Sequence, residues 1–325
     1  MMNLDHCNCI DVNTTCRKAS GFIDEILRIM ETISSKTSLD PEKSSKVCML
    51  TIDTYSSIIG DLISEHANEC FTTPLPHIHN AIIPEYVRED TTVVLIFLSE
   101  DSTEINNIHN DLVNLGCTII CISNCQDLLN KCVLAGHTTI AINSHDLHDC
   151  MLRAIGAVAT VLQNLGVHNY TEDFQKMLVD FKNYEHDHDF AHLTSLANLD
   201  WNLLSEVNAI YCPSNMIFLA NWLKIIIKKY FNKLTFIGEL PEFNHNELVG
   251  WSSSNILLRE TFPLILYDHS GDKLINLLTD CMIEILEGTG RNVLAVSIYG
   301  KNSLEKTILN LFMINHLNSD IWGGK

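Results

Sequence analysis

The sequence predicts an α/β protein built from two doubly wound parallel sheets, and three observations lead there. Short, continuous apolar runs alternate with longer stretches of helical spacing. The apolar runs lack the in–out alternation of a half-exposed strand, so helices must cover both sheet faces. The alternation lapses near residues 166–195 and then restarts, which makes two halves of similar element order.

In the first half, 47–53 (VCMLTID) reads as a buried strand and 56–70 as a helix. A strand over 92–99 (TVVLIFLS) precedes a helix over 103–115. Then come a strand over 118–123, a helix over 126–134, a strand over 138–143 and a long helix over 146–165. Residues 170–192 are polar and either helical or looped. The second half places strands at 209–212, 234–237, 263–267 and 292–299, with helices over 215–230, 271–287 and 303–317. The expected organisation is an N-terminal arm (1–19), a first domain (20–166), a linker (167–194) and a second domain (195–325). Ligands of such sheets bind at the carboxyl ends of strands, beside helix N-termini.

The chain has 325 residues, 46% of them hydrophobic, enough for two cores. Its net charge of −19 repels phosphate backbones and anionic lipid, which argues against nucleic acid and membrane as partners. No apolar run is long enough to span a bilayer, and the first residues lack a signal-peptide pattern, so a cytoplasmic protein is expected. Twelve cysteines, among them Cys48, Cys121, Cys132, Cys212 and Cys281 in apolar segments, suit reduced, buried thiols.

The densest chemistry lies in 239–251, ELPEFNHNELVGW. His245 sits there among Asn244, Asn246, Glu242 and Glu247, a concentration of acid–base groups with no packing rationale. Three other turns follow strands or open helices. Residues 54–62 (TYSSIIGDL) place Ser56 and Ser57 after the first strand, and Ser56 also suits a helix cap. Residues 97–104 (FLSEDSTE) place Ser99 and Ser102 after the second, with Glu100 and Asp101 suited to complement a helix dipole. Residues 152–156 (LRAIG) place Arg153, a permanent cation in an acidic chain, or one arm of a surface ion pair.

The first of these segments resembles the ELPE-x-NHNE-x-x-GW stretch of the bifunctional phosphoglucose/phosphomannose isomerases, enzymes made of two sugar-isomerase (SIS) domains. The other turns resemble, in part, that family's phosphate cradles and its Pro-Arg-Ala segment. The resemblance implies two SIS domains and aldose–ketose isomerisation of glucose 6-phosphate or mannose 6-phosphate through a cis-enediol. It implies phosphate contacts from Ser56, Ser57, Ser99 and Ser102, ring opening by His245, support from Glu247, and enediolate stabilisation by Arg153. It also implies a phosphorylated sugar as ligand, a homodimer, and no metal or organic cofactor.

The chain departs from the family pattern in four ways. The leading glycines of the first cradle are Thr54 and Tyr55, and the second cradle has gained Glu100 and Asp101. The proton-shuttling glutamate falls on Lys228 or Lys229, by either alignment. No residue matches the family's C-terminal ligand-facing lysine. Glu247 or Glu242 would have to supply the base. The competing expectation is therefore a catalytically impaired relative that binds a sugar phosphate or another ligand as a sensor or scaffold. Histidine groups at His77/His79, at His145/His148/Cys150 and over 185–192 carry ligand-type side chains, as do Cys7 and Cys9, but read as solvated or structural, and no metal site is expected. Residues 288–290 (GTG) read as a helix stop, not a phosphate loop.

Overall fold

The computed structural model describes residues 12–37, 39, 46–79, 82–99, 103–144, 147–184, 201–251, 260–298 and 300–317. The chain divides into two compact units, Arg17–Asn183 and a second that holds the described residues from Trp201 onward.

Eleven elements run through the first stretch: α1 (Val12–Ser34), β1 (Lys46–Thr51), α2 (Thr54–Cys70), β2 (His77–His79), β3 (Thr91–Phe97), α3 (Thr103–Asn114), β4 (Thr118–Ser123), α4 (Gln126–Leu134), β5 (Thr138–Ala141), α5 (Leu147–Asn164) and α6 (Tyr170–Tyr184). All five strands are parallel, in the order β2-β1-β3-β4-β5. β3 is buried along its whole length, the signature of a central strand covered on both faces. Alternate residues of the central strands, such as Leu50, Leu95 and Cys121, pack with Ile105 and Leu112 of α3 and Leu128 of α4. The connections leave β1 toward β2 and later toward β3–β5. The topological switch therefore lies between β1 and β3.

The second unit contains β6 (Val207–Pro213), α7 (Ile217–Ile226), a π-helical turn (Ile227–Phe231), β7 (Leu234–Leu240), α8 (Glu242–Asn246), α9 (Leu248–Trp251), β8 (Thr261–Asp268), α10 (Lys273–Gly288), β9 (Leu294–Ile298) and α11 (Ser303–Leu317). Its four strands are parallel in the order β7-β6-β8-β9, which puts a second switch between β6 and β8. α10 starts at Asp272, whose carboxylate accepts from Leu274 N at 2.7 Å and Ile275 N at 3.3 Å. It ends at Gly288, and Gly290 takes φ +77° in the following turn, so the 288–290 stretch is the expected helix stop.

The two doubly wound α/β sheets match the sequence expectation. α1 runs unbroken through residue 20, where an arm had been expected to end, and buries Ile23, Ile26 and Met30 at helical spacing. α6 occupies the start of the 167–194 stretch and lies in the first unit as far as Asn183; residues 185–200, with the remaining histidines of that stretch, lie outside the described ones. Seven described cysteines are buried, and burial pushes the Cys48 thiol up to about 12, with Cys117 adding to it. Cys281 departs from expectation: it is exposed on α10, as is Cys70 on α2, and all nine described cysteines are free thiols. Among the described residues no helix is long and apolar enough to cross a membrane.

Candidate functional site

At the first switch, β1 ends and α2 begins across Asp53. Asp53 is the helix cap, in an extended conformation with φ −84° and ψ 161°. Its Oδ1 accepts from Tyr55 N at 2.9 Å and Ser56 N at 3.0 Å. Its Oδ2 accepts from Ser56 Oγ at 2.7 Å and, across the switch, from Leu98 N just past β3 at 2.9 Å. Four donors fill what a carboxylate can accept. The sequence reading gave the cap to Ser56; the structure gives it to Asp53. Ser56 is fully buried and spends its hydroxyl on that cap, also reaching Asp53 O at 3.0 Å. Ser57 donates to Thr54 O at 3.0 Å. Ser99 lies half-buried after β3, and Ser102 falls outside the described residues. Helix N-termini of this kind attract anions. Here the anion is the chain's own carboxylate.

Arg153 stands one turn into α5 and is not an isolated cation. Its Nε donates to Asp149 Oδ2 at 2.8 Å, and that bond first, then the charge of Asp149, holds the guanidinium above its ordinary range. Arg153 lines a cavity of about 440 Å³ with Glu25, Arg28 and Lys36 of α1 and its C-terminal turn and with Asn143 past β5; neither Ser56 nor Ser57 lines it.

In the second unit the 239–251 segment folds as the end of β7 followed by α8 and α9. Contrary to the sequence reading, it has a packing role. Leu240, Phe243 and Trp251 are all buried in one cluster with Tyr211, Ile265 and Met282. The Tyr211 ring lies 4.0 Å from that of Phe243, and Trp251 Nε1 donates to Tyr211 Oη at 2.9 Å. Tyr211 Oη in turn donates to Glu247 Oε2 at 3.4 Å. Burial raises the Tyr211 phenol, and the Glu247 charge adds to it. Gly238 makes room for this arrangement, since a Cβ there would lie 2.4 Å from Tyr211 Cε1. Asn244 Nδ2 donates to Leu278 O of α10 at 3.2 Å, and Arg291 stacks 4.9 Å over Trp251. The side chains of His245 and Asn246 fall outside the described ones, so His245 is placed only as a backbone position on α8. Lys228 and Lys229 are exposed on the π-helical turn, with Lys229 Nζ 5.4 Å from the Tyr230 ring centroid.

The second switch is open. A cavity of about 240 Å³ at the ends of β6, β7 and β8 is lined by Ser214, Asn215, Pro241, Asp268, Asp272 and Asn276, among others. Asp268 is buried behind it, accepting from Lys306 Nζ at 2.7 Å, Ser270 N at 3.0 Å and Ser270 Oγ at 2.9 Å.

Of the sequence-picked histidine groups, His77 and His79 both hydrogen-bond Thr51 Oγ1, at 2.8 and 3.3 Å, and His77 Nδ1 pairs with Asp61 at 3.0 Å. The imidazole of His77 lies against Gly60, where a Cβ would come within 2.2 Å of Nε2. His145 and the 185–192 run lie outside the described residues, as do Cys7, Cys9 and the side chain of His148. Sequence reading missed the role of Asp53, although an aspartate three residues before a serine at a strand–helix junction is a capping signal.

Residues 197–317 match the family described as the bacterial phospho-glucose isomerase C-terminal SIS domain. A provisionally assigned phosphosugar isomerase of Clostridium difficile 630 superposes with a TM-score of 0.65 at 14% identity, over 97% of this chain and 93% of the other. A second one, from Silicibacter pomeroyi DSS-3, gives 0.61 at 11%, over 96% and 98%. The chain has the fold of the SIS-domain sugar isomerases. The glucosamine-6-phosphate deaminase of Thermotoga maritima shares that fold, with a TM-score of 0.58 at 11% identity over 95% of each chain. No curated protein matches the sequence itself. The SIS expectation and the two-sheet architecture thus hold, and the phosphosugar-isomerase-like fold covers nearly the whole chain.

Proposed function

We propose that this SIS-fold chain is a phosphosugar-isomerase relative without turnover, one that recognises a sugar ligand as a sensor or scaffold. The Asp53 carboxylate carries this reading, because it already holds the α2 N-terminus, the Ser56 hydroxyl and the Leu98 amide. A phosphate entering the same turn meets a like charge. At about 5 Å and an effective dielectric near 20, that costs roughly 3 kcal/mol, or on the order of a hundredfold in affinity. The positions assigned by resemblance to the proton-shuttling glutamate are the exposed Lys228 and Lys229, and neither is a carboxylate.

A second reading has its own observation. Glu247 is held by Tyr211, and Tyr211 by Trp251, so the segment assigned by resemblance to ring opening is built on a packed base. In that reading the chain isomerises glucose 6-phosphate or mannose 6-phosphate through a cis-enediol. Ser56, Ser57, Ser99 and Ser102 contact the phosphate, His245 opens the ring and Arg153 stabilises the enediolate. A second copy of the chain as partner and a cytoplasmic setting belong to both readings. Sedimentation of the purified protein tests the former.

The deciding experiment measures fructose 6-phosphate to glucose 6-phosphate conversion alongside calorimetric binding of both sugars and their unphosphorylated forms. The sensor reading expects no turnover and little preference for the phosphorylated sugar. Turnover that His245→Ala abolishes would replace it with the isomerase.

A further inference from the structure

A polar cluster lies in the first unit, away from the carboxyl ends of its strands. His66 sits on α2, one turn before Cys70, and is 1% exposed. His168 precedes α6, and Asp173 lies in its first turn. Both imidazoles point Nε2 at one oxygen: Asp173 Oδ2 lies 3.0 Å from His66 and 2.5 Å from His168. These three donor atoms all lie within 4.8 Å of one another. Phe71 stacks on His168 at 4.5 Å, and Tyr170 meets the two histidine rings at 5.8 and 5.1 Å, so aromatic rings wall the group.

A second observation is independent of the donor set. Tyr170 is fully buried, and its hydroxyl has no hydrogen-bond partner among the described residues. Buried polar groups nearly always have a partner, and a bound ion or ordered water commonly supplies it.

We propose that His66, His168 and Asp173 bind a divalent first-row transition metal, zinc by preference, with a water on the fourth position facing the Tyr170 hydroxyl. Two imidazole nitrogens and one carboxylate form a donor set suited to zinc, and three protein ligands plus water is the pattern of an open zinc site. Zinc–nitrogen bonds of about 2.0–2.1 Å in a tetrahedron set donors roughly 3.3 Å apart. Entry of the metal then needs the His168–Asp173 gap to widen by less than about 1 Å, a side-chain adjustment. His66 Nδ1 faces Cys70 Sγ at 3.8 Å, which leaves Nε2 as the nitrogen turned to the metal. The alternative donor set of His66, Glu69 and Cys70 relies on two exposed side chains. Bound metal would cross-link α2 to the start of α6 and the turn before it. The cluster was invisible to sequence spacing, since His66 and Asp173 lie 107 positions apart.

The test uses full-length protein purified without a histidine tag, stripped with chelator and titrated with Co²⁺ and Zn²⁺. Wild type is expected to bind one more equivalent of cobalt than His168→Gln, with visible d–d bands of a tetrahedral site. It should also melt several degrees higher in zinc. His168 is partly exposed, so His168→Gln should fold; circular dichroism checks that it does. Tyr170→Phe should keep the fold and weaken zinc several-fold. Equal metal stoichiometry in wild type and His168→Gln, or no zinc-dependent melting shift in wild type, would overturn the proposal.

Discussion

The two sheets carry the same kind of crevice and treat it in opposite ways. Each switch has a buried or half-buried aspartate at the end of a strand. At the first, Asp53 turns onto the N-terminus of α2 and takes amides from both sides of the crevice. At the second, Asp268 turns inward to Lys306, and the crevice beside it stays open as a cavity of about 240 Å³. One carboxylate is balanced by backbone amides at a helix end; the other is balanced by a buried cation beside an open cavity. The lesson is that shared topology fixes where a ligand could sit, while one side chain's partner decides whether it can.

Breaking the second arrangement should have the largest effect. Lys306→Ala leaves Asp268 buried without its cation, and losing one member of such a pair costs about 3–5 kcal/mol. Urea denaturation should show it, and Lys306→Met with Asp268→Asn should recover a good part of the loss. Next, Asp53→Asn keeps an equally good helix cap but removes the charge. Stability should fall by roughly 1–3 kcal/mol, because the new amide nitrogen cannot accept from Leu98 N, while inorganic phosphate and hexose 6-phosphates should bind on the order of a hundredfold more tightly by calorimetry. Unchanged phosphate affinity would mean that Asp53 does not close the first crevice.

Glycine substitutions sharpen the comparison at smaller scale. Gly60→Ala would drive a Cβ to 2.2 Å from His77, and Gly238→Ala would drive one to 2.4 Å from Tyr211. Each should cost roughly 1–3 kcal/mol in thermal or chemical melts, as overpacking does. The smallest effect is one of pH. Burial lowers the pKa of His109, with Lys131 adding to it, and burial and then His109 lower that of His137. Groups depressed in the folded state bind protons more readily when unfolded. Their stabilisation is therefore complete above the unfolded histidine value of about 6.5 and drains away as pH falls below it. His109→Leu should flatten that acid limb of a stability–pH curve in the first unit.

The alternation of elements was legible because central parallel strands are apolar throughout and their helices are not. β2 was missed, since three residues (HIH) offer no periodicity and pair only through their neighbour β1. α8 and α9 were missed because their polar density drew attention from Leu240, Phe243 and Trp251, the residues that anchor them. The site was less legible than the fold. Ser56 looked like a phosphate ligand from its neighbours in sequence, but its hydroxyl partner is fixed by the rotamer of Asp53. Nothing local tells that Leu98, 45 positions away, completes the same carboxylate's shell.

On the proposed reading, Asp53 acts as a tethered competitor of phosphate. A ligand attached to the chain acts at an effective concentration that dilution and dialysis leave untouched. A free phosphate gains the α2 turn only in the fraction of molecules whose aspartate has swung away, and its apparent affinity falls by that fraction. A neutral sugar avoids the charge repulsion, but with four donors already on the carboxylate it must displace one of them to bond there.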